Sequence, residues 1–177
     1  NQKQMIGCGL FPCWSPDRSK DRIAFQRARA RGSRWFSLWT LDLEDGEARR
    51  VTEVAVSSNA AIISPSWSPD GKQLAFTGYV GGWSDLFIIN ADGTGLRRLT
   101  DDQYADLHPA WSPDGRTIAF TTDRGPNTSF TTLTAGNFRI ALIDVESGSM
   151  RVLDGMDAGK DINPQWAPDG KSFAVVS

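Results

Sequence analysis

The chain has 177 residues, 40% of them apolar, with 19 basic and 21 acidic side chains and a formal net charge of −2. That composition supports one buried core, and the near-neutral charge excludes a general nucleic-acid binder, whose phosphate contacts need an accumulated positive field. No run of 18 apolar residues occurs, so the sequence contains no transmembrane helix.

The first residues, Asn1-Gln2-Lys3-Gln4, include neither an initiator methionine nor an apolar leader, which reads as a processed or excised piece. Residues 1–9 have no clear period and read as a tail or as the outer strand of a neighbouring unit. Met5-Ile6-Gly7-Cys8 has a faint likeness to a lipoprotein cleavage box, without the apolar segment that should precede it. Cys8 and Cys13, separated by four residues, leave two readings open: a bridge in an oxidising compartment, or a pair of partly buried free thiols. With no histidine nearby they make a poor zinc site.

From Phe11 onward one unit is repeated. Pro-x-Trp-Ser-Pro-Asp-Gly occurs four times, around Trp14, Trp67, Trp111 and Trp166, with Arg18 in place of the first glycine and Ala167 in place of the last serine. Proline presets φ near −65°, aspartate bonds the backbone and glycine takes positive φ, so the motif predicts a hairpin turn. The first hairpin is two residues longer and is expected to be wider. A short apolar run follows each turn: Ile23-Ala24-Phe25, Leu74-Ala75-Phe76, Ile118-Ala119-Phe120 and Phe173-Ala174-Val175. Each tryptophan is read as core, burying about 150–250 Å², or roughly 4–6 kcal/mol as an upper bound.

The first unit continues with a basic loop carrying Arg27, Arg29, Arg31 and Arg34, a third strand over 35–43, a turn at Glu44-Asp45-Gly46 and a fourth strand over 48–52. The second has its third strand at 85–90 and its fourth at 96–100; the third has strands near 117–122, 138–144 and 150–153; the fourth stops after two strands. Tryptophan spacings of 53, 44 and 55 residues suit a four-stranded antiparallel unit, and no helical period competes. Such units repeated at about 40–50 residues are propeller blades. The expected fold is therefore all-β: one partial propeller over 1–177 with blades near 11–52, 63–100, 107–153 and 162–177.

The order Pro-x-Trp-Ser-Pro-Asp-Gly-Lys, Leu-Ala-Phe, Asp-Leu-Phe-Ile-Ile-Asn-Ala-Asp-Gly-Thr, Leu-Arg-Arg-Leu-Thr over residues 65–100 resembles the TolB-type propeller repeat, a cousin of the WD repeat. The resemblance implies a six- or seven-bladed propeller, commonly bacterial and exported to the periplasm or another extracytoplasmic space. It implies a non-enzymatic protein-docking platform in a cell-envelope complex, with no cofactor. The alternative it allows is a substrate-gating propeller of a prolyl-oligopeptidase-type hydrolase whose catalytic domain lies outside this chain.

In such blades the Ser-Pro-Asp-Gly hairpins and the turns from third to fourth strand share one end. The loops from second to third strand and the connections between blades share the other. The second end is where the units differ, and variable loops on a rigid scaffold are where binding is expected. Tyr79 and Trp83, set among glycines, are the candidate anchors. The basic loop is the candidate for an acidic partner or anionic lipid head groups, against a plain solvated loop. Asp106 and His108, with Asp161 and Asn163 at the same offsets in the next unit, are expected at the channel mouth. Two carboxylates without a glycine-braced loop make a weak cation site, and they are read as a polar channel lining rather than a metal site. No Gly-x-Ser-x-Gly elbow or phosphate loop occurs, and His108 is the single histidine, so no catalytic residue is assigned.

Overall fold

The computed structural model describes residues 9–28, 36–51, 62–154 and 162–176, and every element in them is a β-strand. The first sheet contains β1 (Gly9–Trp14), β2 (Arg22–Ala28), β3 (Phe36–Asp42) and β4 (Ala48–Arg50). The second contains β5 (Ile62–Trp67), β6 (Gln73–Val80), β7 (Trp83–Asn90) and β8 (Arg97–Arg98). The third contains β9 (Asp106–Trp111), β10 (Thr117–Thr122), β11 (Arg139–Asp144) and β12 (Met150–Val152). A two-stranded sheet of β13 (Ile162–Trp166) and β14 (Phe173–Val176) follows. Each sheet is an antiparallel meander in chain order. The molecule is thus all-β, a partial propeller of several four-stranded blades. Cys8, Arg29, Arg31, Arg34, Asp161 and the tail over 1–8 lie outside the described residues.

Strand alternation explains how the blades stack. On β6, Leu74 and Phe76 face the first blade, in a cluster with Ala24, Leu38 and Val51, whereas Ala75 faces the third blade beside Ile118 and Phe120. The middle alanine of each Leu-Ala-Phe-type run leaves the space that the next blade's indole fills. Ala24 meets Trp67, Ala75 meets Trp111 and Ala119 meets Trp166 in three successive clusters. Two of these indoles also donate backward: Trp67 Nε1 to the Cys13 carbonyl at 3.2 Å and Trp166 Nε1 to the Ala110 carbonyl at 3.1 Å. Trp67 and Trp111 are 6% and 8% exposed.

Trp14 departs from the expected burial, with 63% of its surface exposed. A tryptophan in this fold is covered by the blade before it, and the described residues contain no blade before the first. The matching slot at the other end, Ala174, is exposed as well. Cys13, under Trp67, is a free thiol whose pKa burial pushes up to about 12.

The predicted turns form, with Gly71, Gly115 and Gly170 at φ 67°, 72° and 67°. In the second blade the Ser68 hydroxyl accepts from the Gln73 N–H at 2.9 Å and donates to Asp70 at 2.7 Å. Ser112 accepts likewise from Thr117 N–H at 3.0 Å, and Ala167 removes these bonds from the fourth turn. Ser68→Ala is expected to lose about 1 kcal/mol in urea denaturation. The Ser68 hydroxyl, foremost, holds the Asp70 carboxyl below its usual range, and Ser112 does the same for Asp114. A depressed carboxylate stabilises the fold fully above its unfolded value of about 4 and ceases to do so as pH falls through the folded value. Acid denaturation below about pH 4 should therefore be less steep in a Ser68→Ala/Ser112→Ala double variant.

Candidate functional site

The residue before each blade's proline sits in a left-handed conformation: Phe11, Ser64, His108 and Asn163 at φ 49°, 52°, 52° and 56°. At each, the register of the first strand shifts, so that two residues oppose one on the partner strand. Such a bulge re-aims side chains. These four line a groove of about 580 Å³ along the inner strands, walled by prolines and by Trp67 and Trp111. His108 and Asn163 thus line the same groove. The His108 Nδ1 and Ser64 Oγ atoms are buried without a hydrogen-bond partner, and burial lowers the His108 pKa. No hydroxyl among the described residues is hydrogen-bonded to His108.

Asp106 does not join this groove, which corrects its expected position at the channel mouth. Two residues apart on a regular strand, Asp106 and His108 would share a face. The bulge formed by His108 and Pro109 re-aims the His108 side chain, and Asp106 lies wholly inside the protein. Its carboxylate accepts from the Thr122 hydroxyl at 2.8 Å and from Arg124 Nη2 at 3.0 Å, and Arg124 also pairs with Asp102. Burial pushes the Asp106 carboxyl above the usual range in spite of Arg124. A second buried acid, Asp85, pairs with Arg98 at 2.6 Å. No signal short of a charge placed at the edge of a buried strand points to either pair.

Above Arg124 stands an aromatic cluster built from three segments. The guanidinium lies 4.9 Å from the ring centre of Tyr104, in the connection between the second and third blades. Tyr104 packs edge-on against Phe130 of the long β10–β11 loop at 5.0 Å, and Phe130 packs edge-on against Trp83 at 5.9 Å. Trp83 remains 40% exposed, and nearby in that loop Leu133 is 87% exposed at φ 54°, strained for a bulky residue. Gly81 and Gly82, both at positive φ, make the tight β6–β7 turn that presents Trp83. Tyr79, also exposed, pairs with Ser84 while Trp83 pairs with Val80, so the two candidate anchors occupy opposite faces of the hairpin. Sequence reasoning missed Tyr104, Phe130 and Leu133; an aromatic in the longest variable loop was the available signal. Arg27 lies 4.9 Å over the Trp39 ring of its own blade.

No three histidine, cysteine, aspartate or glutamate side chains gather as a metal site among the described residues. A family model described as the TolB beta propeller domain matches residues 3–130. An uncharacterized protein of Agrobacterium fabrum is 27% identical over 173 residues, 92% of this chain and 53% of that protein. The Tol-Pal system protein TolB of Syntrophus aciditrophicus is 38% identical over 82 residues, 46% of this chain and 18% of that protein. The crystal structure of TolB from Acinetobacter baumannii superposes with a TM-score of 0.73 at 25% identity, covering 96% of this chain and 38% of that one. The chain therefore spans about half the length of the first relative and under a fifth of the second. With the repeat, the blades and more than half its length in agreement, the chain belongs to the TolB beta propeller domain family.

Proposed function

We propose that the chain is a non-enzymatic docking platform for a protein partner, in a bacterial cell-envelope complex outside the cytoplasm. The observation that carries this is the exposed ring of Trp83, seated on half-buried Phe130 and, behind it, half-buried Tyr104, a cluster drawn from two blades and the connection between them at the variable-loop end. Exposed aromatic anchors held by rigid neighbours are what protein hot spots are made of. The strained, exposed Leu133 beside them supplies a second anchor, and a bulky residue kept in a left-handed conformation with no internal burial to offset it favours a role in contact. The resemblance to Tol-Pal system proteins supports the setting and the periplasmic or other extracytoplasmic location. The remaining polar candidates, His108 and Asn163, line the groove along the inner strands. A gating role for a separate hydrolase draws no support from this face.

The test is proximity labelling and pull-down with the intact protein, comparing wild type with Trp83→Ala and with the 27–34 loop neutralised. Trp83→Ala is expected to weaken the partner by about 2 kcal/mol, roughly thirtyfold, with the circular-dichroism spectrum unchanged. Identical partner sets and affinities in both variants would remove this face from consideration.

A further inference from the structure

At the opposite end of the blades, where the repeated Ser-Pro-Asp-Gly turns lie, a second groove of about 780 Å³ runs between the first and second blades. Five cations line it from four segments: Lys20 in the β1–β2 turn, Arg22 at the start of β2, Arg49 and Arg50 at the end of β4 and Lys72 in the β5–β6 turn, of which Arg49 is paired with Asp45 and Glu47. Three carboxylates also line it, but each is engaged elsewhere. Asp42 accepts from the Glu44 N–H at 3.0 Å to close its own turn, Glu47 pairs with Arg49 at 3.1 Å, and Asp92 accepts from the Thr94 N–H at 2.9 Å. Lys72 is held only loosely by Asp70, at 3.8 Å on an exposed surface. Among the described residues, Lys20, Arg22 and Arg50 form no salt bridge within 4 Å, and the nearby Asp17 carboxylate, which feels Arg22 and Lys20 at longer range, is bound foremost to Ser19.

Arg22 makes this more than a solvated patch. Its Nε atom is buried and has no hydrogen-bond partner. Its ladder neighbour across the hairpin is Asp42, the natural counter-ion, yet that carboxylate is committed to its own turn. A buried donor on a permanent cation without an acceptor is expensive to maintain, and such groups are rare in folded proteins. The missing component is an acceptor carrying negative charge. An oxyanion seated in the groove meets the part of Arg22 that lines it and places negative charge beside this unpaired guanidinium, a group that binds phosphoryl and carboxylate oxygens through paired donors.

We infer that this groove is a binding site for a small, multiply charged oxyanion of the phosphoryl or polycarboxylate class, held by Arg22 and Arg50 with Lys20 and Lys72 at its rim. The site is remote from the docking face and stands independently of it. The test is calorimetric titration of the full chain with pyrophosphate and with citrate at low ionic strength, where surface charge is least screened. Arg22→Gln and Arg50→Gln are each expected to weaken binding about tenfold. Arg97→Gln, which lies outside the groove and donates to the Val145 carbonyl, is expected to leave it within about twofold. Arg22→Met removes the orphaned donor, so the unliganded protein is expected to melt at the same temperature or higher while the rise in melting temperature with pyrophosphate disappears. Failure of both probes to bind, equal binding by Arg22→Gln, or equal loss in Arg97→Gln would overturn the site. So would sedimentation with phosphatidylglycerol vesicles in place of binding to the soluble probes.

Discussion

Trp111→Ala is expected to destabilise the protein by about 3–5 kcal/mol, and Trp67→Ala by a similar amount, whereas Trp14→Ala in the same chain is expected to change it by less than about 1 kcal/mol. The three residues hold the same place in the repeat, so local sequence predicts equal effects. The difference lies in what covers each ring. Trp67 and Trp111 are 6% and 8% exposed, each set in the slot left by an alanine of the preceding blade, and truncation leaves a cavity that the flanking sheets cannot close. Trp14 is 63% exposed and has no such slot among the described residues. Urea denaturation of the three variants decides it: equal losses would mean that the ring's own hairpin, not the junction between blades, supplies the stabilisation.

That contrast shows how far the sequence reaches. The turns, strands and sheet order were legible because they depend on residues within one unit: proline, aspartate and glycine fix the hairpin, and alternation fixes which side chains face which way. The pairing of Ala75 with Trp111 follows from the same periodicity once two units are stacked. Trp14 escaped because its burial is a property of its neighbour. Asp106 escaped for a different reason. A bulge at His108 and Pro109 re-aims the His108 side chain, and nothing in the composition of Asp106-Leu107-His108 marks the left-handed residue. The aromatic cluster was half legible: Trp83 was visible beside its glycines, but its contacts with Phe130 and Phe130's with Tyr104 depend on the path of a loop whose geometry has no sequence period.

The variable loops are tied to the rigid part of the molecule at Arg124, and this gives the second large expected effect. Arg124→Ala is expected to cost about 3 kcal/mol at pH 7, because it leaves the fully buried Asp106 carboxylate without its counter-charge. The loss should depend on pH in a defined direction. Burial already pushes the Asp106 carboxyl up, and without the guanidinium it rises further. An acid whose folded pKa exceeds its unfolded value of about 4 destabilises the fold increasingly as pH rises through that window. The deficit of Arg124→Ala relative to wild type should therefore shrink as pH is lowered from 7 toward 5, and in Asp106→Asn/Arg124→Ala the combined loss should be smaller than the two single losses added together. A deficit independent of pH, or strict additivity, would show that Arg124 acts through its packing on Tyr104 and Phe120 rather than through its charge. Either way Tyr104 loses the cation beneath its ring, and with it the support of Phe130 and Trp83. Fluorine resonances of 5-fluorotryptophan, with Trp83 assigned by Trp83→Phe, should show that indole broadened or shifted in Arg124→Ala while the Trp67 signal stays in place.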